Sequence, residues 1–458
     1  MRKTFRGIAL GVVIALTAML SACGGGNNNN ASPQVSQTAS PQASEAAASS
    51  ASAPASPQED ITLKFISWWS YVTPDLLKKF EEENPGIKVD YEYVAPGDGY
   101  TNKVKSLSAS GDLPDVFAAQ HPNLSPLVKA NQILDLKADF DTAAYDKDTP
   151  WKDTINPVLI ENMNGGFEKD SDAANHVWAV PFGAISVAVI YNKTLFDKYG
   201  LQAPTTWDQF ESNNAALQQN GLIPMSYTNK VGWGDWWFRL LIDQTARDVK
   251  PDDFVTGTTK ISDPAFVEAL QKLKDMWSKQ VFDPNGLVNG IDESQALFIQ
   301  QKLAQYIVVP ENFVKYLTDN KPADVELGAY VLPAWKGIAP SRTLGGAANL
   351  VVVSSATKHK EAAVKLTKFL TSEKVFQMLS SEDVVPSTKG YTPPEGDAIM
   401  GAYADAAENG FIVDHLPAGQ DAQNKLFKDV IPQVLIGKLT PEAGLKQVQA
   451  IIDKSNGK

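Results

Sequence analysis

The chain has 458 residues, 43% of them hydrophobic and 21% charged, with a formal net charge of −12. That length exceeds what one hydrophobic core usually serves, so two folded lobes are expected. The acidic balance excludes a nucleic-acid partner, because phosphate binding needs a basic surface.

At the N-terminus, Arg2, Lys3 and Arg6 precede an apolar run over 7–20 that ends in Leu20-Ser21-Ala22-Cys23. Residues 1–22 read as an export signal, and the apolar run is short for a bilayer span. Its end resembles the bacterial lipobox, in which cleavage precedes the Cys and that sulfur receives a diacylglycerol. Cys23 is the only cysteine, so no internal disulfide exists. After it, GGGNNNN runs into Ser, Ala, Pro and Gln as far as residue 59. No apolar periodicity occurs there, so 23–59 is expected to be a disordered tether holding a folded body to the outer face of the cell membrane through the lipid alone.

The body opens with a strand pattern at 61–67 (ITLKFIS) that runs into Trp68-Trp69-Ser70-Tyr71. Pro74 starts a helix to 83, broken by Asn84-Pro85-Gly86, and 87–94 is a second strand. A helix over 100–110 and a third strand from Pro114-Asp115-Val116-Phe117 follow. This βαβαβ rhythm predicts parallel strands with crossover helices, and ligand loops at the carboxyl ends of the strands. Those loops are 68–71, 96–100 and 120–123. The apolar run 177–190 is too long for a half-buried edge strand and predicts an extended segment buried on both sides. Pro181, Gly183 and Ala184 inside it suit a crossing between two lobes. Helices at 193–199, closed by Gly200, and from Pro204-Thr205-Thr206-Trp207 come next. Then come Pro224-Met225-Ser226-Tyr227, the run Gly232-Trp233-Gly234-Asp235-Trp236-Trp237, helices around 263–280 and 294–303, and a strand at 304–309 delivering Pro310-Glu311-Asn312. Residues 416–458 read as an amphipathic helical tail on the second lobe.

The runs FEEENPGIKVDYEYV, SGDLPDVFAAQ, WAVPFGAISVAVIYNKTLFDKYGLQAPTTWDQF and LGGAANLVVVSSATKHKEAAVKLTKFLTSE, with Val385-Pro386-Ser387 after them, are similar to bacterial extracellular solute-binding proteins of family 1. That is the maltose-binding-protein-like group serving ABC importers of sugars. The resemblance implies an α/β, two-lobed, periplasmic-binding-protein-like (type II) fold with three interlobe crossings. It divides the body into 60–184 and 348–388 on the first lobe and 185–347 and 389–458 on the second. The crossings fall near 183–186, 344–348 and 385–388, making Gly183, Ala184, Gly345, Gly346 and Pro386 hinge candidates; glycine admits wide backbone changes. A plain turn is the competing role of Gly345-Gly346.

Ten Trp are unusual in one chain. Sugar rings present flat C–H faces that indole rings cover, while polar neighbours take the hydroxyls. Trp68, Trp69, Trp233, Trp236 and Trp237 lie at strand ends or turns, and within each adjacent pair one ring is expected in the core. The resemblance favours Trp69 and Trp233. Asp98, Gln120, His121, Asn123, Tyr227, Asp235 and Glu311 are the polar candidates. Backbone capping competes for Gln120 and Asn123, and a structural role for His121. Glu311 sits where some family members stack a Trp, and Gln120-His121 replaces a Trp-containing loop, which argues against a maltodextrin. Asp115 reads as a loop cap.

Enzyme motifs are missing: there is no HExxH, GxSxG or GxxxxGK[ST]. Asp139, Asp141, Asp146 and Asp148 lack the Gly and terminal Glu of a calcium loop and read as a solvated face. The function that the resemblance implies is a monomeric receptor without metal or cofactor, capturing a mono- or oligosaccharide and delivering it to ABC permease subunits. A non-sugar solute such as a peptide or polyamine, and a secreted carbohydrate-active enzyme, are the alternatives.

Overall fold

The computed structural model describes residues 60–96, 98–120, 124–164, 175–311, 313–409, 411–412, 416–417 and 419–458. The signal at 1–22, Cys23, the tether at 23–59, His121 and Asn123 lie outside the described residues.

Strand β1 (Ile61–Ser67) buries Leu63 and Phe65 by strand alternation. It leads to helix Pro74–Glu83, where the Thr73 hydroxyl accepts from the Leu76 N–H at 3.3 Å and proline occupies the first turn. Leu76, Leu77 and Phe80 bury one face of that helix. β2 (Ile87–Tyr93) and β3 (Val116–Ala119) both run parallel to β1, one on each side. Between them lies helix Asp98–Ser110. The expected βαβαβ unit is present.

The long apolar run does not form one strand. It divides into β4 (Val180–Ser186) and β5 (Ala188–Asn192), with Val187 between them. β4 pairs with β9 (Thr343–Val353) in the first sheet, which runs β10-β9-β3-β1-β2 with β10 at Phe411–Ile412. β5 belongs to a second sheet, ordered β6-β7-β5-β8, with β6 (Ile223–Met225), β7 (Leu303–Val308) and β8 (Leu327–Tyr330). The first crossing is thus at Val187, just past the expected 183–186.

Alternation explains how the second sheet separates two cores. Ala188, Ile190, Tyr306 and Val308 face a cluster continuous with the first lobe, whereas Val189, Ile307 and Val309 face the core of the second. Helices Trp207–Gln219, Gly234–Ile242, Pro264–Ser278 and Pro441–Ser455 supply Phe210, Trp237, Leu270 and Val448 to that second core.

The three links between the sheets lie side by side. The Val187 N–H donates to the Leu344 carbonyl at 2.9 Å, and the Thr343 hydroxyl donates to the Val187 carbonyl. The Ala184 N–H donates to the Val385 carbonyl at 2.8 Å, and Gly183 bridges Pro386. Gly183 is required here, since a Cβ would lie 3.0 Å from the Val385 oxygen. Gly346 is required for its backbone, with φ +117°. Both Gly345 and Gly346 sit inside β9, opposite Ser186 and Ile185, rather than in a turn. Helix Ala398–Asn409 packs against strands of both sheets instead of the second lobe alone. From it, the Tyr403 hydroxyl donates to the Val308 carbonyl at 2.9 Å, and the Ser186 hydroxyl donates to the Tyr403 carbonyl at 3.1 Å.

Candidate solute-binding site

On the first lobe, the loop after β1 is pinned from below. The Trp69 N–H donates to the Ser67 hydroxyl at 3.2 Å, and the Tyr91 hydroxyl donates to the Trp69 carbonyl at 3.1 Å. This divides the two indoles. Trp68 is half-buried and meets Tyr100 edge-on, with ring centroids 4.7 Å apart. Trp69 is 1% exposed and stacks on Phe182 of β4 at 4.6 Å and alongside Tyr71 at 6.4 Å. The order expected from the resemblance is reversed here: Trp68 presents the accessible ring, and Trp69 packs into the core beside a crossing. The Trp69 Nε1 and the Tyr71 hydroxyl are buried with no hydrogen-bond partner among the described residues. Gln120 is exposed at the end of β3, and Asp98 opens helix Asp98–Ser110.

The second lobe divides its aromatics similarly. Trp237 is fully buried; its indole N–H donates to the Ser226 carbonyl at 3.3 Å and its ring meets Phe282 edge-on at 4.9 Å. Tyr227 is also a core residue, 1% exposed, set between Trp277 and Phe282. Both candidates belong to the interior: Trp237 because helix Gly234–Ile242 turns every third or fourth side chain inward, and Tyr227 because the segment after β6 packs it against Trp277 and Phe282. Gly234 makes the turn possible: a Cβ there would lie 2.6 Å from the Tyr227 ring.

Trp233 and Trp236 remain half-buried and stack face to face at 4.6 Å, with 19° between planes, and Phe313 meets Trp233 edge-on at 5.0 Å. Asp235, at the start of the same helix, pairs with Arg239 at 3.1 Å, and the guanidinium lies over Phe427. Trp68, Trp233 and Phe313 all pack against the buried cluster shared by the two sheets. Half-exposed indoles from both lobes thus border one interior.

Glu311 lies deeper than a rim residue. It is 9% exposed, and the Asn349 amide of β9 donates to its Oε1 at 2.8 Å. Burial raises its carboxyl to about 7, partly offset by that hydrogen bond. The Asn349 amide takes one acceptor site on Oε1, while Oε2 has no hydrogen-bond partner among the described residues.

Sequence reasoning missed Phe313, Tyr71 and Asn349. Tyr71 stood in the WWSY run and Asn349 in LGGAANL, but neither run says which ring or amide meets the junction. Of the acidic residues set aside earlier, Asp141 and Asp146 are exposed, Asp141 pairing with Lys152 and Asp146 accepting from the Lys374 N–H at 3.1 Å, whereas Asp139 is half-buried and pairs with Lys360 at 3.4 Å. Asp115 accepts from the Lys64 N–H at 2.8 Å and from the Thr357 hydroxyl at 2.6 Å, tying two strands together. Among the described residues no three His, Cys, Asp or Glu gather as a metal site, and no helix is long and apolar enough to cross a membrane. A pocket of ≈ 240 Å³ opens elsewhere on the first lobe, around Tyr145, Trp151, Lys368 and Thr388. Its polar groups are engaged within the protein: the Trp151 indole donates to the Thr371 hydroxyl at 3.1 Å, and Lys368 donates to Thr142 at 2.7 Å. Trp68, Trp233 and Trp236 do not line it.

Comparison with known proteins agrees with this architecture. The chain is 25% identical over 420 residues to an uncharacterised ABC transporter extracellular-binding protein of Pyrococcus horikoshii, covering 88% of this chain and 85% of the other. It is 23% identical over 344 residues to the multiple sugar-binding protein of Streptococcus mutans, covering 73% and 76%. A solved chitin oligosaccharide binding protein superposes with a TM-score of 0.70 at 24% identity, covering 87% of this chain and all of that one. The two sheets with three links are the two-lobed type II arrangement of maltose-binding-protein-like receptors. With residues 67–375 matching the family description itself, the chain belongs to the bacterial extracellular solute-binding protein family.

Proposed function

We propose that this protein is the carbohydrate receptor of an ABC importer, taking a mono- or oligosaccharide between its lobes. The observation that carries this is the pair of half-exposed indole platforms, Trp68 with Tyr100 on one lobe and Trp233 with Trp236 and Phe313 on the other. Flat aromatic faces cover the C–H faces of sugar rings. Relatives that bind multiple sugars and chitin oligosaccharide support the same class. The lobes divide at Val187, at the start of β9 and at the third link near Val385 and Pro386. Solute touching both lobes only when they close shifts the open–closed equilibrium toward the closed form, which engages the permease. Cys23 carries the lipid that holds a monomer on the outer face of the membrane. Asp235, Gln120, Asp98, His121 and Asn123 supply hydroxyl contacts around the platforms. Capture is reversible, with a dissociation constant on the order of micromolar, about −8 kcal/mol.

The test is a thermal-shift screen against sugars, oligosaccharides, peptides and polyamines, since a ligand of the folded state raises the midpoint by mass action. A shift from one oligosaccharide class supports the assignment. Silence from every sugar with a response to a peptide or polyamine overturns it, and consumption of the sugar would mean an enzyme.

A further inference from the structure

Glu311 follows β7 by three residues and so belongs to the second sheet, yet its carboxyl is held by the first. Asn349, which donates to it at 2.8 Å, stands opposite Gly183 in the β9–β4 pairing. A side chain on Gly183 would come within 4.0 Å of the same oxygen and 3.4 Å of Val384. The carboxyl therefore sits where all three links converge. On the first lobe the buried Tyr71 hydroxyl is pushed up by its burial, by the Glu311 carboxyl and by Tyr91, whereas Glu311 itself responds to its burial and to Asn349. Asp383, the adjacent acid of the third link, is coupled to Asp397, Glu382 and Lys315 instead. Lys315, one turn beyond Glu311, pairs with Asp319. Among the described residues no lysine, arginine or histidine pairs with Glu311.

A buried carboxyl with one neutral donor and no cation is comfortable protonated and costly ionised. Water relieves that cost, and opening the junction is the way water reaches it. We propose that the Glu311–Asn349 contact is a proton-linked latch between the lobes: protonated, it keeps the three links packed, and ionised, it loosens the second lobe from β9. The carboxyl value of about 7, against 4.5 for a solvated glutamate, puts this transition in the range a cell-surface protein meets. The latch belongs to the fold with or without a solute and does not rest on the carbohydrate assignment.

The experiment is amide hydrogen exchange by mass spectrometry on the full-length chain, wild type and Glu311→Gln, from pH 4 to pH 8. Peptides covering 180–190 and 343–353 report the links. Dividing the two rates at each pH cancels the intrinsic pH dependence of exchange. Gln keeps the acceptor for Asn349 and cannot ionise. The rates should match at pH 4 and diverge as pH rises, wild type exchanging ~100-fold faster by pH 8. A ratio that stays flat overturns the latch. Should Glu311→Gln fail to fold, Asn349→Ala serves: losing the donor raises the carboxyl further, so the acceleration at high pH must grow relative to wild type, and an unchanged profile refutes the proposal. None of these readouts uses a sugar, so failure here and failure of the carbohydrate screen are separate results.

Discussion

Trp236 and Trp237 are neighbours in sequence with opposite assignments, and truncating each to alanine separates a platform from a core. Trp237 is fully buried, packs on Phe282 and donates to the Ser226 carbonyl. Removing a buried aromatic of this size costs about 3–5 kcal/mol, and the abandoned carbonyl adds about 1 kcal/mol. For a lobe-sized folding unit each kcal/mol lowers the melting midpoint by roughly 2–4 °C, so Trp237→Ala should fall by about 10 °C or more. Trp236 is half-buried, stacking on Trp233 at 4.6 Å and packing on the edge of the second core. Such a pair contributes about 0.5–1.5 kcal/mol beyond its area, so Trp236→Ala should lose only a few degrees. Its larger effect should be on sugar affinity, about tenfold or more, from the lost stacking face. Unfolding monitored by calorimetry, alone and with the sugar found by screening, checks both halves. Trp237→Ala melting like wild type, or Trp236→Ala losing as much stability as Trp237→Ala, would refute the division.

Gly234→Ala should destabilise by about 1–3 kcal/mol in urea unfolding, because the new methyl meets the Tyr227 ring at 2.6 Å and the Asn229 oxygen at 2.5 Å. The pH dependence of unfolding should carry the mark of Glu311. A carboxyl raised from 4.5 to about 7 in the folded state imposes no penalty below its unfolded value and a growing one as pH rises through 7. Glu311→Gln should therefore match wild type at pH 4 and exceed it at pH 8, by an amount on the order of 3 kcal/mol at most. Cys23→Ser should release the protein from membranes in fractionation, and continued retention would refute the lipid anchor.

Much of the fold was legible in the chain because its signals are local. The strand–helix–strand rhythm of the first lobe needs only a strand at 61–67, the Pro74 helix start and the Asn84-Pro85-Gly86 break; all three form, though the strand's alternation ends at Phe65, Ile66 and Ser67, which are all buried. The run 177–190 was legible as buried but not as two strands. Apolar continuity says that both faces are covered, and which sheet covers them depends on partners more than a hundred residues away. The site divides the same way. An adjacent pair of tryptophans at a loop or helix start raises the expectation that one ring goes in and one stays out. Which one does so follows from the Ser67 and Tyr91 hydrogen bonds under Trp69 and from the Ser226 carbonyl beside Trp237.

Sequence alone determined the strand–helix rhythm of the first lobe and the aromatic loops at strand ends, because each is written in spacing and composition within a short window. The two lobes were expected from length and from the family resemblance. Tertiary structure alone decided that Trp68, Trp233 and Trp236 are the accessible rings, that Gly345 and Gly346 lie within a strand, and that Glu311 reaches across to Asn349. The physical reason is long-range pairing: β9 meets β3, β4 and β10 from distant parts of the chain, and burial at the junction exists only once they assemble.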